Sequence, residues 1–192
     1  MLKYYTKTML EIWIEEQYKQ KGILSPVDLT IERICTEFCI EIEYTEKINN
    51  VVWDEELIIV YLNQNLSSQE QKEAFFHELC HPLRHVADQR NRHPIFRGLI
   101  ELQEEQARNF QPYATIPFFM VEQLELPSRD KEIAGLLAQT FNTTYFFAYR
   151  RWEQIKRRIF QGIFDEKIKS YLEIREQIFA RFKKEYNRFF YY

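Results

Sequence analysis

Glycine is scarce in this 192-residue chain, at four residues. Tight glycine turns and glycine-rich phosphate loops, which depend on a backbone that only glycine frees cheaply, are therefore no theme here. Cysteine is scarce as well. Cys35, Cys39 and Cys80 make an odd count with no C-x-x-C spacing, so free thiols in a reducing cytoplasm are the expected state. Cys35 and Cys39 stand four apart on a predicted helix and are expected to pack as small core residues. No apolar run reaches the roughly 18 residues of a membrane span. The first fourteen residues set Lys3, Lys7 and Glu11 among apolar ones and offer no small-residue cleavage site, so no signal peptide is expected. The expectation is a cytoplasmic protein with no membrane partner.

What is present suits a helix-rich globule of one domain, or one domain with a small appendage. Apolar residues make up 45% of the chain and charged residues 29%, with 16 Phe and 12 Tyr. The net charge of −3 hides an asymmetry. Residues 1–130 carry 13 Lys+Arg against 22 Asp+Glu, whereas residues 131–192 carry 13 against 7. An acidic part and a basic part with a boundary near Pro127-Ser128 follow.

Residues 6–20 read as an amphipathic helix closed by Gly22, and Ser25-Pro26 as a turn. A second helix is expected over 28–39. Ile40-Glu41-Ile42-Glu43-Tyr44 alternates with the period of a half-buried strand. Asn49-Asn50 marks a turn, Val51-Val52-Trp53 a short strand, and Leu57 to Leu62 the best strand of the chain. Ser67-x-x-Glu70 has the spacing of a capping box, which starts the next helix near Ser68.

That helix carries His77-Glu78-Leu79-Cys80-His81, an H-E-x-x-H pattern. Histidines at i and i+4 share one helix face, where two imidazoles can grip one Zn²⁺ at about 2.0–2.1 Å each. Glu78, next to the first ligand, can reach a metal-activated water as general base. Pro82 should kink or end the helix directly after the second histidine. His85 joins the face only if the helix continues. The residue six after His81, where a metzincin has its third histidine, is Ala87, so His85 and His93 read as structural or surface residues.

Two imidazoles leave a metal site open, and a third ligand is needed. On the next helical pattern, Leu99 to Phe110, Leu99, Ile100, Ala107 and Phe110 fall on one side at about 100° per residue. Glu104 lies at the rim of that side, while Glu101 and Glu105 point to solvent. A carboxylate at the edge of a buried face is suited to be that ligand.

At this point the sequence resembles the ImmA/IrrE family of zinc metallopeptidases. The family pattern is an apolar strand ending in Asn, then H-E-x-G-H, then E-x-x-A-x-x-F-A with a later Met-Pro. Here Leu57 to Asn63, His77 to His81, Glu104 to Phe110 and Ile116-Pro117 occupy those places, over roughly residues 30–158. The resemblance implies zinc on His77, His81 and Glu104, with Glu78 as catalytic base. It also implies an α+β, mostly helical zincin-like metallopeptidase fold with a small antiparallel or mixed sheet, followed by C-terminal helices. Family members typically cleave helix-turn-helix repressors of prophages and integrative elements, so the implied partner is such a repressor. Cys80 stands where the family has Gly, Pro82 follows the motif, and Gln111-Pro112 replace Ala-Ala. These departures support an alternative: a degenerate, non-catalytic zincin acting as a repressor- or DNA-binding regulator.

The expected division is a metallopeptidase domain over 1–127, a helix-turn-helix-like unit over 128–160 and a C-terminal helix over 161–192. In the middle unit, Glu132 to Thr140 is a helix, Phe141 to Thr144 a turn, and the following helix carries Arg150, Arg151, Trp152, Lys156, Arg157 and Arg158. Two readings stand for it: weak contact with DNA or a repressor, or packing helices with a solvated basic face. Tyr145-Phe146-Phe147-Ala148, where a reader would be polar, looks like core. The final helix ends Phe189-Phe190-Tyr191-Tyr192, and its aromatics are expected to dock on the body or a partner, with membrane-surface binding a third option.

Overall fold

The computed structural model describes residues 2–85 and 97–190. Its architecture is α+β: mostly helical, with one small mixed sheet. Helix α1 (Met9–Gln20) opens on a capping box in which Thr8 and Glu11 satisfy each other's backbone N–H. Helix α2 (Ile31–Phe38) is capped by Thr30 and stops at Cys39, which adopts a left-handed conformation at φ 55°. That exposes Cys39 and leaves Cys35 half-buried, so the expected pair of core cysteines is not one. A single turn beyond the last helical residue reverses the chain, and the turn carries its side chain outward.

Strands β1 (Ile40–Thr45), β2 (Asn50–Trp53) and β3 (Ile58–Asn63) form the sheet in the order β1-β3-β2. β1 runs parallel to β3 from Ile40 opposite Ile58 to Thr45 opposite Asn63. β2 runs antiparallel, with Val51 opposite Val60. The most apolar strand is thus the central one, and Ile40, Val51, Val60 and Leu62 are the buried set of the sheet.

Helix α3 (Ser68–Arg84) packs on β2 and β3 and against helix α4 (Arg97–Thr115). Ser67 and Glu70 form the anticipated capping box. Phe75, Phe76 and Leu79 are fully buried, each contributing about 1.5–3 kcal/mol through loss of apolar surface to water. Of the two outcomes expected at Pro82, a kink or an end, the end does not fall there: Pro82 lies in the last turn, gives up the bond to the Glu78 carbonyl, and the backbone leaves helical geometry at His85, at ψ 137°. Pro112 likewise lies inside α4, which continues to Thr115. There Gln111 Nε2 donates to Glu73 O of α3 at 2.8 Å, a bond that ties the two helices together beside the proline.

A short helix α5 (Phe118–Val121) is buried throughout. Helix α6 (Asp130–Phe141) ends on Asn142, in the left-handed region at φ 49°, and helix α7 (Tyr145–Phe190) follows. The helix expected from 161 is a continuation of the one expected before it, and Gly162 does not interrupt it. Two compact units result. One is Lys7–Glu153; the other joins the N-terminal residues up to Thr6 with Gln154 onward. In the latter, Arg158 Nε donates to Thr6 O at 3.1 Å, and a Cβ on Gly162 would collide with the Tyr4 carbonyl. The aromatics that stand out along this part, Phe160, Phe164, Tyr171, Phe179 and Phe182 among them, are exposed. Tyr191 and Tyr192 lie outside the described residues. Among the described residues no helix is long and apolar enough to cross a membrane.

Candidate metal centre

Two helices and one strand build the site. α3 brings His77 and His81 to one face, and α4 presents Glu104 from the edge of the side that buries Gln103, Ala107 and Phe110. Glu101 and Glu105 are exposed, as the periodicity predicts, although Leu99 is exposed as well. One ligand atom from each of His77, His81 and Glu104 lies within 4.8 Å of the others. His77 Nε2 is 3.2 Å from Glu104 Oε2, and His81 Nε2 is 3.6 Å from Glu104 Oε1. The indole of Trp53, at the end of β2, stacks on the His81 ring at 6.3 Å and 21°. Trp53 read only as a strand residue in the sequence; nothing local marked it as a neighbour of the site.

Burial governs the charges. His81 is almost wholly buried, and its pKa falls to about 4: desolvation is the main cause, the carboxylate of Glu104 opposes it, and His77 and His85 add to the lowering. The ring is therefore neutral at physiological pH, the form that binds metals. Glu78 moves the other way, up to about 7, through burial first and the negative charge of Glu104 second. A carboxyl poised near neutrality suits proton transfer in both directions. Burial pushes the Cys80 thiol up to about 12, so it is a neutral packing atom and stands outside the three-residue cluster.

Two imidazoles and a carboxylate are the donor set of an open zinc site, which keeps a fourth position for water or substrate. The residues fit such an ion. They bring three donors together at a half-buried place where a divalent cation would neutralise Glu104 and accept the lone pairs facing one another.

His85, set aside by the sequence reading, is buried against the site. Its Nδ1 is 3.1 Å from His81 Nδ1, and its Nε2 is 3.0 Å from Gln106 Oε1. Its ring thus packs on a ligand rather than joining the ligand cluster. The available signal was the i+4 spacing from His81, which Pro82 appeared to cancel. His93 and Ala87 lie outside the described residues.

Residues 46–153 match the IrrE N-terminal-like domain, the peptidase M78 family. The chain belongs to that family. Among curated proteins, the phage-like element PBSX protein XkdA of Bacillus subtilis is 33% identical over 149 residues, covering 78% of this chain and 74% of the relative. The uncharacterized protein YqaB of the same organism is 26% identical over 164 residues, covering 85% and 94%. No solved structure matches. For this M78 member, then, the ImmA/IrrE resemblance is correct, and its family is one of metallopeptidases with a relative in a phage-like element. The match stops near the boundary of the Lys7–Glu153 unit, so the aromatic half of α7 lies outside it.

The basic segment looks different once folded. Arg151 is fully buried, paired with Glu11 at 2.9 Å and donating to Ile116 O. Trp152 is buried and donates to Asp130. Both are committed to packing and are removed from any face that could meet a phosphate. Phe147 and Ala148 are buried as expected, but Tyr145 and Phe146 are exposed.

Proposed function

We propose that this protein is a zinc-dependent endopeptidase that cleaves a helix-turn-helix transcriptional repressor and thereby derepresses a prophage or mobile element. The observation that carries the reading is the His77-His81-Glu104 cluster with Glu78 beside it on the same helix. Family membership and a relative from a phage-like element support a protein substrate in a mobile-element setting, and the ImmA/IrrE resemblance implies a repressor as that substrate. Pro82 and Pro112, the strongest argument for a degenerate regulator, leave both ligand helices continuous.

In this mechanism His77, His81 and Glu104 hold the ion. A bound Zn²⁺ supplies Lewis acidity, lowering the pKa of a water to about 7 and polarising a carbonyl. Glu78 takes the proton of the attacking water and delivers it to the leaving amine. Burial raises the Glu78 pKa above the usual carboxylate range, the direction that both transfers need. The substrate approaches as an extended peptide along β2, because β3 is paired on both sides and only β1 and β2 are edges among the described residues. β2 runs beside α3 and ends on Trp53, against His81; main-chain bonds along such an edge hold a peptide without demanding its side chains.

The deciding experiment incubates the purified protein, with zinc, with the repressor encoded beside its gene, and compares it with Glu78→Gln. A defined cut made by wild type alone supports the peptidase. A stable complex with no cut by either protein overturns it in favour of a binding regulator.

A further inference from the structure

The hydrogen bonds behind His81 fix where its proton sits. Gln106 turns Oε1 to His85 Nε2 at 3.0 Å; with the amide in that orientation its oxygen can only accept, which puts the proton of His85 on Nε2. A neutral His85 then offers Nδ1 as acceptor. The 3.1 Å contact between the two Nδ1 atoms therefore requires His81 to carry its proton on Nδ1. His81 Nε2 is left unprotonated, and it faces Glu104 Oε1 at 3.6 Å. Two lone-pair-bearing atoms oppose each other there, an arrangement that a cation relieves and a proton on Nδ1 cannot.

The order of the chain adds a reason. α3 abandons helical geometry at His85 itself, at an extended ψ of 137°, and the side chain stays buried at 8% exposure. The His85 N–H still donates to His81 O at 2.9 Å, so the two residues are joined by backbone and by ring. Gln106, two residues after Glu104 on α4, connects the α3 ligand back to the helix that bears the carboxylate. The chain of contacts thus runs from one ligand through His85 to the element carrying another.

We propose that His85 and Gln106 are positioning residues that lock His81 in its Nδ1–H tautomer and so reserve Nε2 for the metal ion. This rests on the metal-site reading given above. Ligand histidines generally direct their second nitrogen to a carbonyl or carboxylate; here a second imidazole, itself anchored by an amide, takes that place.

Two measurements on the full chain test it. Long-range ¹⁵N–¹H NMR of the metal-free protein reads the tautomers directly, and with only four histidines in the chain assignment by single substitution is practical. The expected result is His81 protonated on Nδ1 and His85 on Nε2. Titration with Zn²⁺ against a chelator, and with Co²⁺ followed by visible absorption, reads the site. Gln106→Leu, at an exposed position that spares the fold, and His85→Ala should each weaken metal affinity about 10–100-fold and change the Co²⁺ spectrum. His85→Gln, whose amide oxygen can accept from His81 Nδ1–H, should restore most of the loss.

His81 protonated on Nε2 in the metal-free protein overturns the proposal, as does wild-type affinity in Gln106→Leu together with a native His81 tautomer. A wild type with the expected tautomers that takes neither metal overturns the metal reading instead, since the NMR result does not depend on the ion.

Discussion

The two ends of α3 both bury polar groups, yet they treat them in opposite ways. At the N-terminal end, Lys72 Nζ donates to Phe141 O at 2.6 Å and Glu73 Oε1 accepts from Thr144 N at 2.7 Å. Those partners sit at the last residue of α6 and in the turn that follows it, so this end is a clamp whose groups are matched within the protein. At the C-terminal end, His77, His81 and Glu104 set three acceptor-rich groups against one another, with Glu78 next to them. That end gathers groups that could hold a metal ion. Buried polarity is therefore no mark of a site by itself; three metal-ligating side chains brought together from two helices are a better one.

The largest change expected from breaking this contrast is at Glu78. Glu78→Gln should lower the rate of repressor cleavage by roughly 10²–10⁴-fold, the range of a lost general base, while zinc content measured by atomic absorption stays at the wild-type level. Glu104→Ala comes next. It should lose more than the roughly 100-fold that a change behind a ligand costs, read as zinc affinity by chelator competition, with the thermal transition of the metal-free protein lowered little or not at all. The clamp should answer in the other currency. Glu73→Ala removes the charged acceptor of the Thr144 N–H and should cost about 1–3 kcal/mol in urea unfolding without altering metal affinity.

The smallest effect concerns pH. Burial lowers the Lys72 pKa to about 8, opposed by the charge of Glu32. The folded state then holds its proton less tightly than the unfolded chain. Stability should be lowest below pH 8 and recover between about 8 and 10.5, by up to about 1–3 kcal/mol. Lys72→Met should flatten that rise. A wild-type curve that stays flat over this window and falls only above about pH 10.5 would show that the carbonyl of Phe141 holds the ammonium charged.

The legible features were those with a local physical signature. The capping box at Ser67, the alternation of β1 and the i,i+4 histidines each follow from neighbours a few residues away, and Glu104 followed from the periodicity of α4. The hidden features depend on what meets what across the fold. Cys39 was read from its helix spacing and turned out to be the cap that ends the helix. Pro82 was read as a kink or a stop, and the helix runs only two residues past it, to Arg84. Arg151 looked like one of a run of surface cations until Glu11, distant in sequence, was found against it. His85 stands at i+4 from His81 but beyond Pro82, at the helix end, and Trp53 approaches from a strand end that no periodicity joins to the helix.

β2 carries one more consequence. Four residues of strand offer a ladder of only about 13 Å at roughly 3.3 Å per residue, closed at one end by an indole. A ruler that short can hold a peptide in place but reads little of its sequence. On the proposed peptidase reading, selectivity would reside in how the scissile segment is displayed by its own protein: an extended, accessible stretch long enough to lie on four residues, such as a linker between folded parts. Regulation of cleavage would follow from the same limit, because whatever hides or releases that stretch in the proposed repressor substrate would decide when it is cut.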